Sequence, residues 1–385
     1  MSVSNVILLT ESPLSKRDHD RFGVEILSKR FQVHILDCTA WLNPEFWKKY
    51  SNLAYRCPGY LSVGDMNEFL AHVGKRDAIV IDYLGDGVLR QRIRGEIKRR
   101  NIRRVIVQHG LLPTPPGSIT GKLSRGDIAG ILPRIARRTR RLIDQFFDPI
   151  VHADIALLSG LAGAKEKDVA SVPIKIWAHS FDYDAFLERR GHGAAPYSVY
   201  ALFLDEDMIH HTDYEHAGIS PPATERPYFL AMNAFFREFE KHVGMPVRIA
   251  AHPRSRYDLR PDLWEGRPAI LGQTAELVRD ASFILCHQST ALSFAVLWTK
   301  PTIFLTSNEL SRSFLGPRIF LGSSLLGAPV VNIDHARDAL PDVETLLNVD
   351  ASAYSRYVEN YIKRPGTPEL PVWEVFSDYV LNHLA

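Results

Sequence analysis

Cysteine is scarce in this chain of 385 residues: Cys38, Cys57 and Cys286 stand far apart, with no CxxC pair. That excludes a disulfide framework and a small structural zinc module, and it suits a reducing compartment. Long apolar runs are also missing. No stretch reaches 18 apolar residues, and "MSVSNVILLTESPLSKRD" offers only four before polar residues return, too few for a signal peptide or a membrane span. An excess of one charge is absent too, since 46 basic residues face 44 acidic ones for a formal net charge of +2. No global field draws nucleic acid, so any anion site must be local. Finally, no GxGxxG follows the first apolar run, and "GDG" at 85–87 is no P-loop. Nicotinamide chemistry lacks its usual mark.

What is present is a regular alternation. With 45% hydrophobic residues, the chain can bury two cores of ordinary size. "NVILLTES", "FQVHILDC", "DAIVIDYLGDG", "RRVIVQHG" and "ADIALLSG" are short apolar runs ending in Gly, Asp, His or Ser, separated by amphipathic stretches such as "DMNEFLAHVGK" and "GVLRQRIRGEIKRR". They read as buried parallel strands with helical crossovers, which makes residues 1–195 one α/β domain. The Gly/Ala/Pro segment near 191–196 reads as a linker. A second series, "YALFLDED", "VRIAAH", "PAILG", "FILCHQS", "PTIFLTS" and "APVVNI", makes 196–348 a second α/β domain. The remainder, 349–385, reads as helices that pack back onto the first domain. Tandem α/β domains take ligands at strand carboxyl ends, in the cleft the two domains face.

Several strand ends carry chemistry. In "VRIAAHPRSRYD", His252 follows a strand and Pro253 biases it toward an extended conformation, so the ring is aimed; Arg254 adds charge. In "FILCHQSTALSFAVLWTK", Ser289 or Thr290 is placed to cap the following helix, whose first N–H groups form an anion site on a strand neighbouring that of His252. His109 in "RRVIVQHG" is one candidate general base and either carboxylate of "IDYLGDG", Asp82 or Asp86, is another, with Asp86 equally suited to cap the helix that follows. Asp205 and Asp207 read as a solvated turn rather than a magnesium site, and His210, His211 and His216 lack zinc spacing. The segment 131–147, "ILPRIARRTRRLIDQFF", interleaves apolar residues with five arginines, as a helix lying on anionic lipid or an ordinary amphipathic helix would.

"AHPRS" and "CHQSTALSFAVLWTKPTIFL", with "QHG" before them, resemble the bacterial surface-polysaccharide glycosyltransferases of GT-B architecture. Within them the chain is similar to enzymes using CMP-sialic acid or CMP-Kdo, and more distantly to CDP-glycerol glycerophosphotransferases. The resemblance implies two Rossmann-like domains, an N-terminal acceptor-side domain and a C-terminal nucleotide-donor domain. It implies an inverting, metal-independent transfer without cofactor, from a nucleotide sugar to a glycan or lipid-linked hydroxyl in capsule, O-antigen or lipooligosaccharide. His252 and Pro253 match the HP motif, Ser289 and Thr290 the Ser/Thr motif, and His109 the His-Gly base. Gly85 stands where the acidic-acidic-Gly motif of some sialyltransferases has a carboxylate, which leaves the base as His109 or Asp86. A non-hydrolysing nucleotide-sugar epimerase and a lipid-bound scaffold are the rival readings. The expected location is the cytoplasm, with contact to the inner membrane through 131–147 and no nucleic-acid partner.

Overall fold

The computed structural model describes residues 3–74, 77–115, 151–191, 199–211, 214, 219–335 and 340–384. The linker segment, His216 and the arginine-rich segment 131–147 lie outside the described residues. The chain divides into two units, one of Met1–His109, Leu123–Phe181 and Lys363–Ala385, the other of Gly110–Lys122 and Asp182–Ile362. The division falls at 181 rather than 195 because Tyr183 and Phe186 of helix Phe181–Arg189 pack into the second core.

The first unit holds a seven-stranded parallel sheet in the order β3-β2-β1-β4-β5-β6-β7. Its strands are β1 Asn5–Thr10, β2 Gln32–Asp37, β3 Tyr60–Ser62, β4 Ala78–Asp82, β5 Arg103–Gln108, β6 Ile155–Leu158 and β7 Ile174–Trp177. β1, β4 and β6 are buried along their whole length, which is why they read as unbroken apolar runs. The edge strands β3 and β7 are short and half-buried, and no apolar run announced them. Helix Val372–His383 returns to this unit, where Val372, Trp373, Phe376 and Val380 join the core of β1, β2 and β4. Gly23 makes the fit: at φ +61 it lies so close to the Trp373 indole that a Cβ would meet the ring at 2.0 Å.

The second unit has a six-stranded parallel sheet in the order β10-β9-β8-β11-β12-β13. All six expected runs form strands: β8 Ala201–Leu204, β9 Val247–Ala250, β10 Ala269–Ile270, β11 Phe283–Cys286, β12 Thr302–Thr306 and β13 Val330–Asn332. β8 pairs with both β9 and β11, so the strands carrying His252 and Ser289 are separated by β8 rather than adjacent. Helix Glu225–Val243 crosses from β8 to β9, burying Tyr228, Phe229, Met232, Phe235, Phe236 and Phe239 at three- and four-residue spacing. Gly244 ends it at φ +70, a left-handed position that glycine occupies without a Cβ penalty. In each sheet the order reverses beside the first strand, between β1 and β4 and between β8 and β11, which is where such folds seat ligands.

At the β4 end, Asp82 is neither a helix cap nor an exposed base. Its Oδ2 accepts from Arg94 Nε and Arg104 Nη1, each at 2.8 Å, and all three side chains are buried. Arg94 Nη2 also donates to the carbonyls of Leu84 and Gly85, fixing the loop that carries Asp86. Removing the carboxylate would leave two guanidinium groups uncompensated in the interior, a change that costs about 3–5 kcal/mol. Asp82→Ala is therefore expected to lower the thermal midpoint of the first unit sharply, read by calorimetry, with Asp82→Asn losing less.

Candidate functional site

The carboxyl edge of the second sheet is organised by Asp205, which follows β8. Its buried carboxylate accepts from His252 N–H at 3.0 Å and Tyr257 Oη–H at 2.9 Å through Oδ2, and from Asp207 N–H at 3.0 Å through Oδ1. Burial pushes this carboxyl up to about 6, while the three donors pull it down. Asp205 and Asp207 are thus buried rather than a solvated turn.

His252 sits two residues past β9, half-buried, ahead of a turn in which Ser255 N–H and Oγ–H both donate to the His252 carbonyl. Its Nδ1 accepts from Arg254 N–H at 3.3 Å, which assigns the ring proton to Nε2 in the neutral form. The polar end of the ring therefore has a defined donor. The His211 ring lies 4.8 Å from that of His252 at 51°. Pro253 and Arg254 are exposed.

Past β11, three consecutive residues take different roles. His287 is fully buried: Nδ1 donates to the Leu305 carbonyl at 2.7 Å, and Nε2 accepts from Tyr228 Oη–H at 3.0 Å. Burial lowers its pKa to about 4, so it is a neutral core group. Gln288 N–H donates to Glu206 Oε1 at 2.6 Å, a bond across the β8–β11 reversal point. Ser289 Oγ accepts from Ala291 N–H at 3.3 Å, and Leu292 N–H donates to the Ser289 carbonyl. The helix begins at Leu292 with Ala291 as its N-cap residue, later than expected, because this hydroxyl-closed turn precedes the first α-helical residue. Ser289 is buried and Thr290 exposed.

In the first unit, His109 follows β5 with its ring 4.4 Å from that of Phe181. Both ring nitrogens are buried without a hydrogen bond among the described residues, near the His179 backbone but outside bonding geometry. Burial, and secondarily the charge of His179, lowers the His109 pKa to about 3, where a value near neutrality was expected. Tyr83 Oη, following β4, is likewise buried and without a partner among the described residues. Asp86 is exposed, and the helix Val88–Arg99 takes no side-chain cap from it; its N-cap residue is Gly87. Among the described residues, His19, Asp20 and Glu25 group closely enough to share a cation, but Lys16 Nζ lies 2.5 Å from Asp20 and 4.0 Å from Glu25. A lysine already fills that place.

No protein-family model and no curated protein matches this chain. Among solved structures, the wall teichoic acid polymerase TagF superposes with a TM-score of 0.54 at 9% identity, over 99% of this chain and 89% of that one. The fold is GT-B. MurG of Acinetobacter baumannii gives 0.44 at 10% identity, over 98% and 99% of the two chains. The UDP-GlcNAc 2-epimerase of Methanocaldococcus jannaschii gives 0.43 at 12%, over 97% and 98%. Among the described residues, no helix is long and apolar enough to cross a membrane.

Sequence reasoning passed over Glu206, whose only sign was its place in "FLDED". Burial raises its carboxyl from 4.5 to about 8, with the Asp205 charge adding to the rise. The folded chain then keeps a proton that the unfolded chain sheds above 4.5. Its contribution to stability is full below that pH and is lost as the pH rises through 8. Glu206→Gln carries no such proton. The thermal midpoint of wild type relative to this variant is expected to fall steadily between about pH 5 and about pH 8.5, and a flat difference would contradict the assignment.

Proposed function

We propose that this chain is an inverting glycosyltransferase that moves a sugar from a nucleotide donor to a hydroxyl of a bacterial surface glycan. The observation that carries the reading is the pairing, around β8, of the His252 ring with its proton on Nε2 and the hydroxyl-closed turn at Ser289. Both stand at strand carboxyl ends of the second unit of a GT-B fold, beside the reversal point that suits nucleotides. The acceptor oxygen attacks the anomeric carbon as its proton passes to a base. The bond from that carbon to the phosphate oxygen breaks, and the electron pair stays with the phosphate. His252 Nε2–H donates to the oxygen where negative charge grows, Ser289 and Thr290 hold the phosphate through the turn, and Arg254 beside Pro253 screens it. Charge is met by these groups, so the mechanism calls on no divalent ion.

A CMP-linked, sialic-acid-like or Kdo-like donor is the favoured substrate, on the likeness of "AHPRS" and "CHQST" to the motifs of those enzymes. The teichoic-acid resemblance implies glycerophosphate transfer with the same groups, and CDP-glycerol is the discriminating ligand. Thermal-shift titration with CMP, CDP, UDP and GDP is expected to give the largest stabilisation with CMP. His252→Ala and Ser289→Ala should each weaken that binding about tenfold or more while keeping the wild-type melting transition. Folded variants that retain full affinity and full transfer would end this reading.

The base is His109 or Asp86. A neutral His109 is ready to accept a proton, but its buried ring is weakly basic until a polar partner enters. Asp86 is exposed on the loop after β4. Replacing the true base, as His109→Asn or Asp86→Asn, is expected to cut kcat about 10²–10⁴-fold with little change in donor affinity, and the other variant should stay within about threefold.

A further inference from the structure

The second unit has a cavity of about 390 Å³ at its carboxyl edge, whose lining includes neither His252 nor Ser289 and which is assigned no role above. That volume lies within the ~300–1,000 Å³ of small-molecule sites. One wall is apolar: Pro227 and Ala231 of helix Glu225–Val243, over the buried Ala223 and Tyr228. The Tyr228 hydroxyl is held by His287, so the ring is fixed in place.

The opposite wall, from the loops after β12 and β13, is polar and its bonding is uneven. Glu309 takes Thr224 N–H at 2.9 Å and Thr224 Oγ–H at 2.8 Å, one on each carboxylate oxygen. Asp334 takes Asn308 N–H at 2.7 Å, and Asn308 Oδ1 takes the Asn332 amide at 3.0 Å. These bonds set the carboxylates in position, and each oxygen keeps lone-pair capacity. Arg312, which also lines the cavity, has no partner among the described residues. One face therefore offers apolar contact, while the other offers two fixed acceptors and the donor fork of Arg312.

We propose that this cavity is a binding site for a neutral pyranose, the C–H face of the ring against Pro227 and Ala231, and its hydroxyls shared among Glu309, Asp334 and Arg312. A pyranose presents that same division, with one apolar face and an edge of groups that both donate and accept. Two carboxylates against one guanidinium leave the lining net negative, which disfavours phosphates and sugar acids. The inference rests on the transferase reading only in placing a glycan-unit site on this protein; the binding itself is independent of nucleotide.

The test is saturation-transfer NMR on the full chain with methyl glycosides of glucose, galactose and N-acetylglucosamine, and with glucuronic acid and N-acetylneuraminic acid. Melting temperature and CMP binding are scored on the same samples. At least one neutral glycoside should show transfer, and the acids none. Ala231→Trp, which fills the cavity, should abolish the signal. Arg312→Met, at an exposed side chain, should weaken binding about tenfold without altering the fold. If Ala231→Trp fails to fold, Arg312→Met together with Asn308→Ala decides. No transfer from any neutral glycoside, equal transfer in the folded variants, or preference for the acids overturns the proposal. CMP binding retained in those samples would leave the transferase reading standing, and CMP binding lost in wild type would fail that reading alone.

Discussion

Asp205 ties the candidate site together. Its one buried carboxylate grips the backbone of His252, the hydroxyl of Tyr257 and the turn at Asp207, so the loop after β9 is bound to β8 rather than hanging from its own strand. Because β8 also pairs with β11, the His-Pro loop and the Ser289 turn share one reference element. Glu206, the next residue, completes the arrangement from the other side by taking Gln288 N–H. Two neighbouring carboxylates thus hold the two loops that flank the strand. In a buried setting such hydrogen bonds are strengthened by the low local dielectric, and they fix position as well as energy.

The two units use buried charge differently. In the first, Asp82 is neutralised outright by two guanidinium groups and serves as a rigid anchor for a loop. In the second, Asp205 and Glu206 take neutral donors and no arginine among the described residues, and burial raises both of their pKa values. The first arrangement favours permanence. The second leaves carboxyl groups near a neutral-pH balance at the strand ends where a ligand would sit, a setting in which arriving negative charge alters protonation.

Much of the fold was legible because central parallel strands are buried on both faces and so appear as unbroken apolar runs. β3 and β7 were not, since half-buried three- and four-residue edge strands leave no such run. At the site, His252 and Ser289 could be found from strand-end position. What holds them could not: the bond from His252 to Asp205 spans 47 residues, and that from Gln288 to Glu206 spans 82. Local pattern also misdirects within a single motif. In "CHQST" the histidine is the residue that looks most reactive, yet His287 is sealed between Tyr228 and Leu305 as core. Likewise the aspartates of "FLDED" look like a wet turn, and only the packed structure shows them inside.

The contact of Gly23 with Trp373 joins chain segments some 350 residues apart. Trp373 Nε1–H also donates to the Arg21 carbonyl at 2.7 Å, and Val372, Phe376 and Val380 fill the same core. The first sheet is made before the second, but the side chains that close one of its faces emerge after the second sheet. The unit synthesised first is therefore finished last, after the whole second unit has been made. Until then it carries an open apolar face, and a nascent chain in that state is a natural client for a chaperone.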